Sequence, residues 1–140
     1  MTVRELKGLP LPEALSSAIE DGRWTPPDRA ALEDVFSVTP EDPSFYTLDY
    51  MRFENGLWLE DKTRTPMFGG TPDAASPPGD IDVRRSVLIG DLGHDMPFAL
   101  DYRPSLNNPS VVYFRSDKLR WITVAASIED LLARLGLSEK

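Results

Sequence analysis

Four short runs rich in β-branched and aromatic residues follow one another in the second half of the chain. They limit the folds open to it more than any other feature. The runs cover residues 86–89, 97–102, 111–114 and 119–125. The connections between them are shorter than the dozen or more residues that a parallel crossover needs. The spacing therefore predicts antiparallel strands joined by tight connections.

A final helix is predicted after these strands. Ser127 is a good N-cap, and acidic residues follow it in the first turn, where the helix dipole favours them. Gly136 stands where a left-handed residue ends a helix. The apolar residues at helical spacing are Ile128, Leu131, Leu132 and Leu135.

The first half of the chain has helical patterns. One helix is predicted from Pro12 to Gly22, and a second is predicted to begin with Thr25 as its N-cap. Residues 43–55 have helical spacing that the Asn55-Gly56 pair would end, although residues 45–47 also have strand character.

Residues 66–80 hold four prolines and three glycines, which excludes a helix interior or a central strand and predicts a long surface loop. Each side of this loop alone would have a very small core. We therefore predict one domain over residues 1–140. Its fold class is α+β, with a mostly antiparallel sheet of four to six strands packed with N-terminal helices and a C-terminal helix.

The residue counts exclude several chemistries. Cysteine is absent and histidine occurs once, at His94, so disulfides, cysteine-ligated metals and two-imidazole motifs are excluded. The carboxylates of Asp80, Asp82, Asp91 and Asp95 lack the spacing of a calcium-binding loop. We expect no metal and no cofactor.

The chain carries 15 basic and 23 acidic side chains, and residues 1–70 hold −6 of the net charge of −8. Binding to nucleic acid or to an anionic membrane needs clustered lysine and arginine, so neither is expected as a direct partner. A negative field attracts a basic protein, although the same charge is also explained by solubility alone. The charged N-terminus and the lack of a long apolar run predict a cytoplasmic protein.

The His94-Asp95 pair lies in a connection rich in glycine and aspartate. A histidine beside a carboxylate can act as a general acid or base near neutral pH. A turn requires the same residues for conformational reasons, and we favour the turn. No catalytic residue is assigned, and a small hydrolase using His94 with a nearby carboxylate stays open as an alternative.

Charge and expected exposure select the candidate contacts to a protein partner. Trp58 is an aromatic residue followed by acidic side chains, a combination found in interface anchors, although a core tryptophan is the commoner case. The full set is Asp49, Trp58, Glu60, Asp61, Asp91, His94 and Asp95.

Four segments of the second half carry a family pattern. They are VLIGDLG at 87–93, FALDY at 98–102, NPSVVYF at 108–114 and WITVAASIEDLL at 121–132. On these segments, residues 85–137 resemble the SMI1/KNR4 family, also called the SUKH superfamily. The resemblance implies an α+β domain without catalytic residues. Many bacterial members look like immunity proteins that neutralise a toxin, often a nuclease or deaminase, and others look like regulatory interaction modules.

We therefore expect a non-enzymatic protein-binding module, first of all a bacterial immunity protein against a basic, nuclease-type toxin. A regulatory interaction domain without a toxin partner is the second hypothesis. The sequence leaves the oligomeric state open.

Overall fold

The computed structural model describes residues 5–60, 78–79, 81–93, 95–115, 118 and 120–138. Within these residues the chain forms a six-stranded antiparallel sheet, a two-stranded hairpin and four α-helices. The predicted α+β class, its antiparallel sheet and its closing helix are confirmed.

The elements in chain order are β1 (Glu5–Leu6), β2 (Leu9–Pro10), α1 (Glu13–Glu20), α2 (Arg29–Phe36), β3 (Ser44–Phe45), α3 (Leu48–Glu60), β4 (Pro78–Gly79), a 3-10 turn (Val83–Arg85), β5 (Ser86–Asp91), β6 (Pro97–Asp101), β7 (Ser110–Arg115), β8 (Arg120–Ala125) and α4 (Ile128–Leu135). The hairpin pairs β1 with β2. The large sheet has the order β3-β5-β6-β7-β8-β4, so the four predicted strands form its centre.

Helices cover both faces of this sheet. Tyr113 and Phe114 are neighbours in β7 and therefore point to opposite faces. The Tyr113 ring contacts Phe36 of α2, with ring centroids 5.4 Å apart. The Phe114 ring contacts Trp121, which in turn contacts Trp58 of α3 at 5.9 Å. Because α2 and α3 lie on opposite faces, β6 is buried along its whole length.

The second helix begins later than predicted. Asp28, rather than Thr25, is the N-cap of α2, and its carboxylate accepts a hydrogen bond from the backbone N–H of Ala31 at 2.9 Å. The cause is Pro27, which disfavours the helical conformation of the residue before it. By contrast, α1 lies within its predicted bounds.

Residues 43–55 contain both predicted alternatives, first the strand β3 and then the start of α3. The prediction that Asn55 and Gly56 end this helix is wrong. The buried Asn55 amide donates to the carbonyl oxygens of Met51 (2.8 Å) and Leu88 (2.9 Å), and its oxygen accepts from the Leu88 N–H (2.8 Å). Asn55 therefore joins α3 to β5. An asparagine side chain often bonds to nearby backbone groups and so favours a turn, but here it bonds to Leu88 of β5 and the helix continues.

The first of the four predicted runs covers residues 86–89, but β5 continues through Gly90 to Asp91. A Cβ atom at this position would lie 2.4 Å from the Phe98 ring and 2.8 Å from the carbonyl oxygen of Ser44. Glycine is therefore required here by the close approach of β3 and β6, and it does not mark a strand end.

The predicted end signals of α4 are confirmed. The hydroxyl of Ser127 accepts a hydrogen bond from the backbone N–H of Asp130 at 3.1 Å, and Gly136 is left-handed with φ +74°.

Most of the predicted loop at 66–80 lies outside the described residues. Its described part, Pro78–Gly79, pairs with β8 at the edge of the sheet, where a missing proline N–H is tolerated. Over the ranges that the structure describes, none of the helices combines the length and the apolar character needed to span a bilayer.

Candidate partner-binding surface

Helix α3 carries apolar side chains on two sides. On the inner side, Met51 and Trp58 are fully buried. On the outer side, Tyr50, Phe53 and Leu57 are 44%, 59% and 39% exposed. At 3.6 residues per turn, these three lie within about 60° of one another around the helix axis. We call Tyr50, Phe53 and Leu57 the apolar ridge.

An open recess lies at the end of β5, next to the loop before β3. It has a volume of about 540 Å³ and is lined by Glu41, Asp42, Asp91 and Gly93. The backbone N–H of Glu41 donates to the carbonyl oxygen of Leu92 at 2.7 Å, which holds the two segments together. We call this the acidic recess.

Tyr46 connects the two features. Its hydroxyl donates to the Asp91 carboxylate at 2.7 Å. Its ring contacts the Tyr50 ring at a centroid distance of 4.7 Å, and the Tyr50 ring contacts Phe53 at 6.1 Å. A continuous series of contacts therefore runs from the acidic recess to the apolar ridge.

The recess concentrates negative charge. Burial raises the pKa of Asp91; the hydrogen bonds from Tyr46 and from the Gly93 N–H oppose this rise, and the charges of Glu54 and Asp42 add to it. Burial and the hydrogen bond to Asp91 also raise the pKa of the Tyr46 phenol. A cationic group that enters the recess stabilises the ionised form of Asp91, because opposite charges at short range favour it.

Three of the sequence-predicted contact residues have described side chains at or near the surface. Asp91 lines the recess and is half-buried. Asp49 lies on α3 beside the ridge, with 95% of its side chain exposed, and forms an ion pair with Arg52 at 3.3 Å. Asp95 is exposed in the turn between β5 and β6, with a φ of +58°.

Trp58 has no accessible surface, so we remove it from the candidate contacts. Its ring contacts Trp121 of β8, and the Lys7 ammonium lies 5.0 Å from the ring centroid. Trp58 is buried because its position around the axis of α3 directs its side chain toward the sheet. The core alternative for this tryptophan is the correct one.

Asp61 and His94 lie outside the described residues, and so does the side chain of Glu60. The turn and the hydrolase hypotheses for His94 therefore stay predictions. No set of three or more His, Asp or Glu side chains suited to hold a metal ion occurs within the described ranges.

Sequence reasoning missed the apolar ridge, Tyr46, Glu41 and Asp42. A signal for the ridge was present, because Tyr50, Phe53 and Leu57 repeat at helical spacing. It was hidden by the second apolar stripe that faces the core. No local signal pointed to the recess.

Comparison with known protein families finds a match over most of the chain. The model of the SMI1 / KNR4 family (SUKH-1) matches residues 3–134. The match extends the resemblance seen over residues 85–137 to nearly the whole chain. No curated protein and no solved structure matches.

Proposed function

The chain belongs to the SMI1/KNR4 family (SUKH-1), and from this premise we propose that it is a non-enzymatic bacterial immunity protein that binds and neutralises a basic, nuclease-type toxin. Family membership supports a protein-binding role. The observation that carries the choice of partner is the acidic recess beside exposed apolar side chains, since interfaces combine apolar anchors with a charged rim.

The acidic charge suggests how neutralisation works. A nuclease holds phosphates with lysine and arginine, and those residues form a positive surface. An acidic protein bound over that surface occupies the phosphate-binding positions and excludes nucleic acid. The net charge of −8 also accelerates the encounter with a positive partner, an effect that added salt screens.

The test takes the protein encoded by the neighbouring reading frame as the candidate toxin domain. Cells that express this domain alone are expected to stop growing, and cells that also express the chain are expected to grow. The purified proteins are expected to associate more slowly as salt concentration rises. If growth is not restored and the two proteins do not bind, the toxin proposal is wrong. If they bind without any effect on toxicity, a regulatory interaction domain is the better assignment.

Two matched variants locate the charge effect. Glu41→Lys reverses a charge in the recess, and Glu20→Lys makes the same change on α1, which packs against α4. We expect Glu41→Lys to slow association more than Glu20→Lys, although both change the net charge equally. Equal slowing by both variants would assign the effect to net charge alone.

The proposal also includes a cytoplasmic location and a single domain over residues 1–140. Cell fractionation tests the first. Limited proteolysis tests the second, since a single domain is expected to resist cleavage into separately stable halves.

A further inference from the structure

We infer that the apolar ridge and the acidic recess form one docking surface for a basic amphipathic segment of the partner. Apolar side chains of that segment pack on Tyr50, Phe53 and Leu57, and an arginine or lysine side chain enters the recess. The inference rests on the proposed function in one respect, that the occupant is a protein.

The two parts of this surface lie close enough for one segment to reach both. The series Phe53, Tyr50, Tyr46 and Asp91 is linked by centroid distances of 6.1 and 4.7 Å and by a hydrogen bond of 2.7 Å. Tyr46 is buried and links Tyr50 to Asp91 from within the fold, whereas the exposed Tyr50 ring attracts a cation that extends from the ridge toward the recess through its negative face. The surface therefore suits arginine next to apolar residues.

The ridge is unusual among the exposed side chains. In the described part of the chain four large apolar side chains are exposed, and three of them are on α3. The fourth, Leu106, lies in the connection between β6 and β7. A single exposed leucine is normal for a soluble protein, whereas a contiguous apolar patch with a polar rim marks an interaction site.

Charge selects the occupant. Glu54 follows Phe53 on α3, and its charge acts on both Asp91 and Tyr46. Arg52, a cation on the same helix, pairs with Asp49. A second copy of this chain would bring one acidic recess close to another, and a nucleic acid or an anionic membrane would bring phosphates against it. A basic segment instead gains charge complementarity together with apolar contact.

The test uses a synthetic amphipathic peptide with leucine and phenylalanine on one helical face and arginine on the other. Amide shifts of the full-length chain are followed by NMR during titration. We expect the shifts to concentrate on α3 and on the strand end at Asp91. A control peptide with glutamate in place of every arginine is expected to cause none. No shifts with the basic peptide, or shifts centred elsewhere, would overturn the inference.

Variants test the ridge. Phe53→Ser and Leu57→Ser are each expected to weaken peptide binding about tenfold or more. Leu106→Ser changes an apolar residue of intermediate exposure, 50% against 59% for Phe53 and 39% for Leu57, and is expected to stay within about twofold of wild type. Equal weakening by all three would overturn the inference. So would concentration-dependent self-association of the chain that Phe53→Ser abolishes, because the occupant would then be a second copy.

The growth assay separates this inference from the proposed function. If the peptide binds on α3 but the toxin is not neutralised, the docking surface stands and the toxin proposal is wrong. If wild type and Phe53→Ser neutralise the toxin equally well, the proposed function stands and the docking surface is wrong.

Discussion

Helix α3 has apolar side chains on both of its sides, but only those on the inner side are buried against the rest of the protein. Met51 and Trp58 on the inner side are buried against the sheet, whereas Tyr50, Phe53 and Leu57 on the outer side are exposed. An ordinary surface helix has one apolar stripe toward the core and a polar face toward water. The difference shows that the same class of side chain stabilises the fold on one side of α3 and supplies contact area for a partner on the other.

The largest expected difference between the two sides comes from Trp58→Ala. The side chain is fully buried, so its removal leaves a cavity and is expected to cost about 3–5 kcal/mol of unfolding free energy. Urea denaturation of wild type and variant measures this loss. Phe53→Ala on the same helix is the matched control. Losses of similar size in both variants would mean that the two sides of α3 contribute equally to stability.

Asn55→Ala tests the polar part of the inner side. The change removes the hydrogen bonds to both backbone groups of Leu88 and leaves buried polar groups without those partners, at an expected cost of roughly 3 kcal/mol. Asn107→Ala, at an exposed position, is expected to change stability by less than about 0.5 kcal/mol. A loss this small for Asn55→Ala would show that the bridge from α3 to β5 is dispensable.

Lys7 lies against the inner side of α3 and makes its contribution to folding stability depend on pH. Its ammonium donates to the Val83 carbonyl oxygen at 2.7 Å and lies near the Trp58 ring. Burial lowers the pKa of Lys7 from 10.5 to about 8, an effect that Asp82 opposes. A lowered pKa in the folded state means that stability from this group is present above pH 10.5 and is lost as pH falls through about 8.

Relative to Lys7→Met, wild type is therefore expected to gain stability as pH rises from about 8 to 10.5, on the order of 3 kcal/mol. Urea denaturation of both proteins across this range measures the difference. A difference that does not change with pH would mean that the ammonium of Lys7 stays solvated in the folded chain.

Asp91→Asn tests, through pH, the acidic recess that Tyr46 connects to the outer side of α3. Because the folded-state pKa of Asp91 is raised above 3.8, its contribution to stability is present below pH 3.8 and is lost as pH rises through the raised value. The variant should therefore become more stable relative to wild type as pH increases through that range, and the difference should then level off. Denaturation at stepped pH measures it, with the exposed Asp34→Asn as control. A decline of the variant relative to wild type over the same range would contradict the assignment.

The smallest expected stability effect is that of Phe53→Ser. An exposed side chain contributes little to folding, so the change should be within about 0.5 kcal/mol by urea denaturation. Together with the expected loss of peptide binding, this result would show that the outer side of α3 serves recognition while the inner side serves stability. A loss comparable to that of Trp58→Ala would instead place Phe53 in the core.

Much of the fold was predictable from local signals. The central strands β5 to β8 and the helix α4 follow from β-rich runs, short connections and the Ser127 and Gly136 end signals. Local signals were wrong where tertiary contacts compete with them. Asn55 stays inside a helix because β5 supplies its hydrogen-bond partners, and Gly90 continues a strand because Phe98 packs over it.

The candidate surface was predictable only in part. Asp49 and Asp91 were selected from charge, whereas Trp58 was selected as an aromatic residue followed by acidic side chains, beyond the helix end that the Asn55-Gly56 pair predicted. A helix with two apolar stripes has no unique inner face until a second element packs on it. The contacts of Trp58 with Trp121 and of Asn55 with Leu88 make that choice.

The sequence by itself determined the acidic balance, the α+β class and the family pattern, because these depend on composition and on local order along the chain. Only the tertiary structure decided where a partner could bind. The recess joins Glu41 and Asp42 to Asp91, which are far apart in the chain, through the pairing of Ser44 with Asp91 and of Phe45 with Gly90. A two-residue strand is too short to specify its partner or register by pattern, so packing around Gly90 and Phe98 sets this contact, and with it the surface.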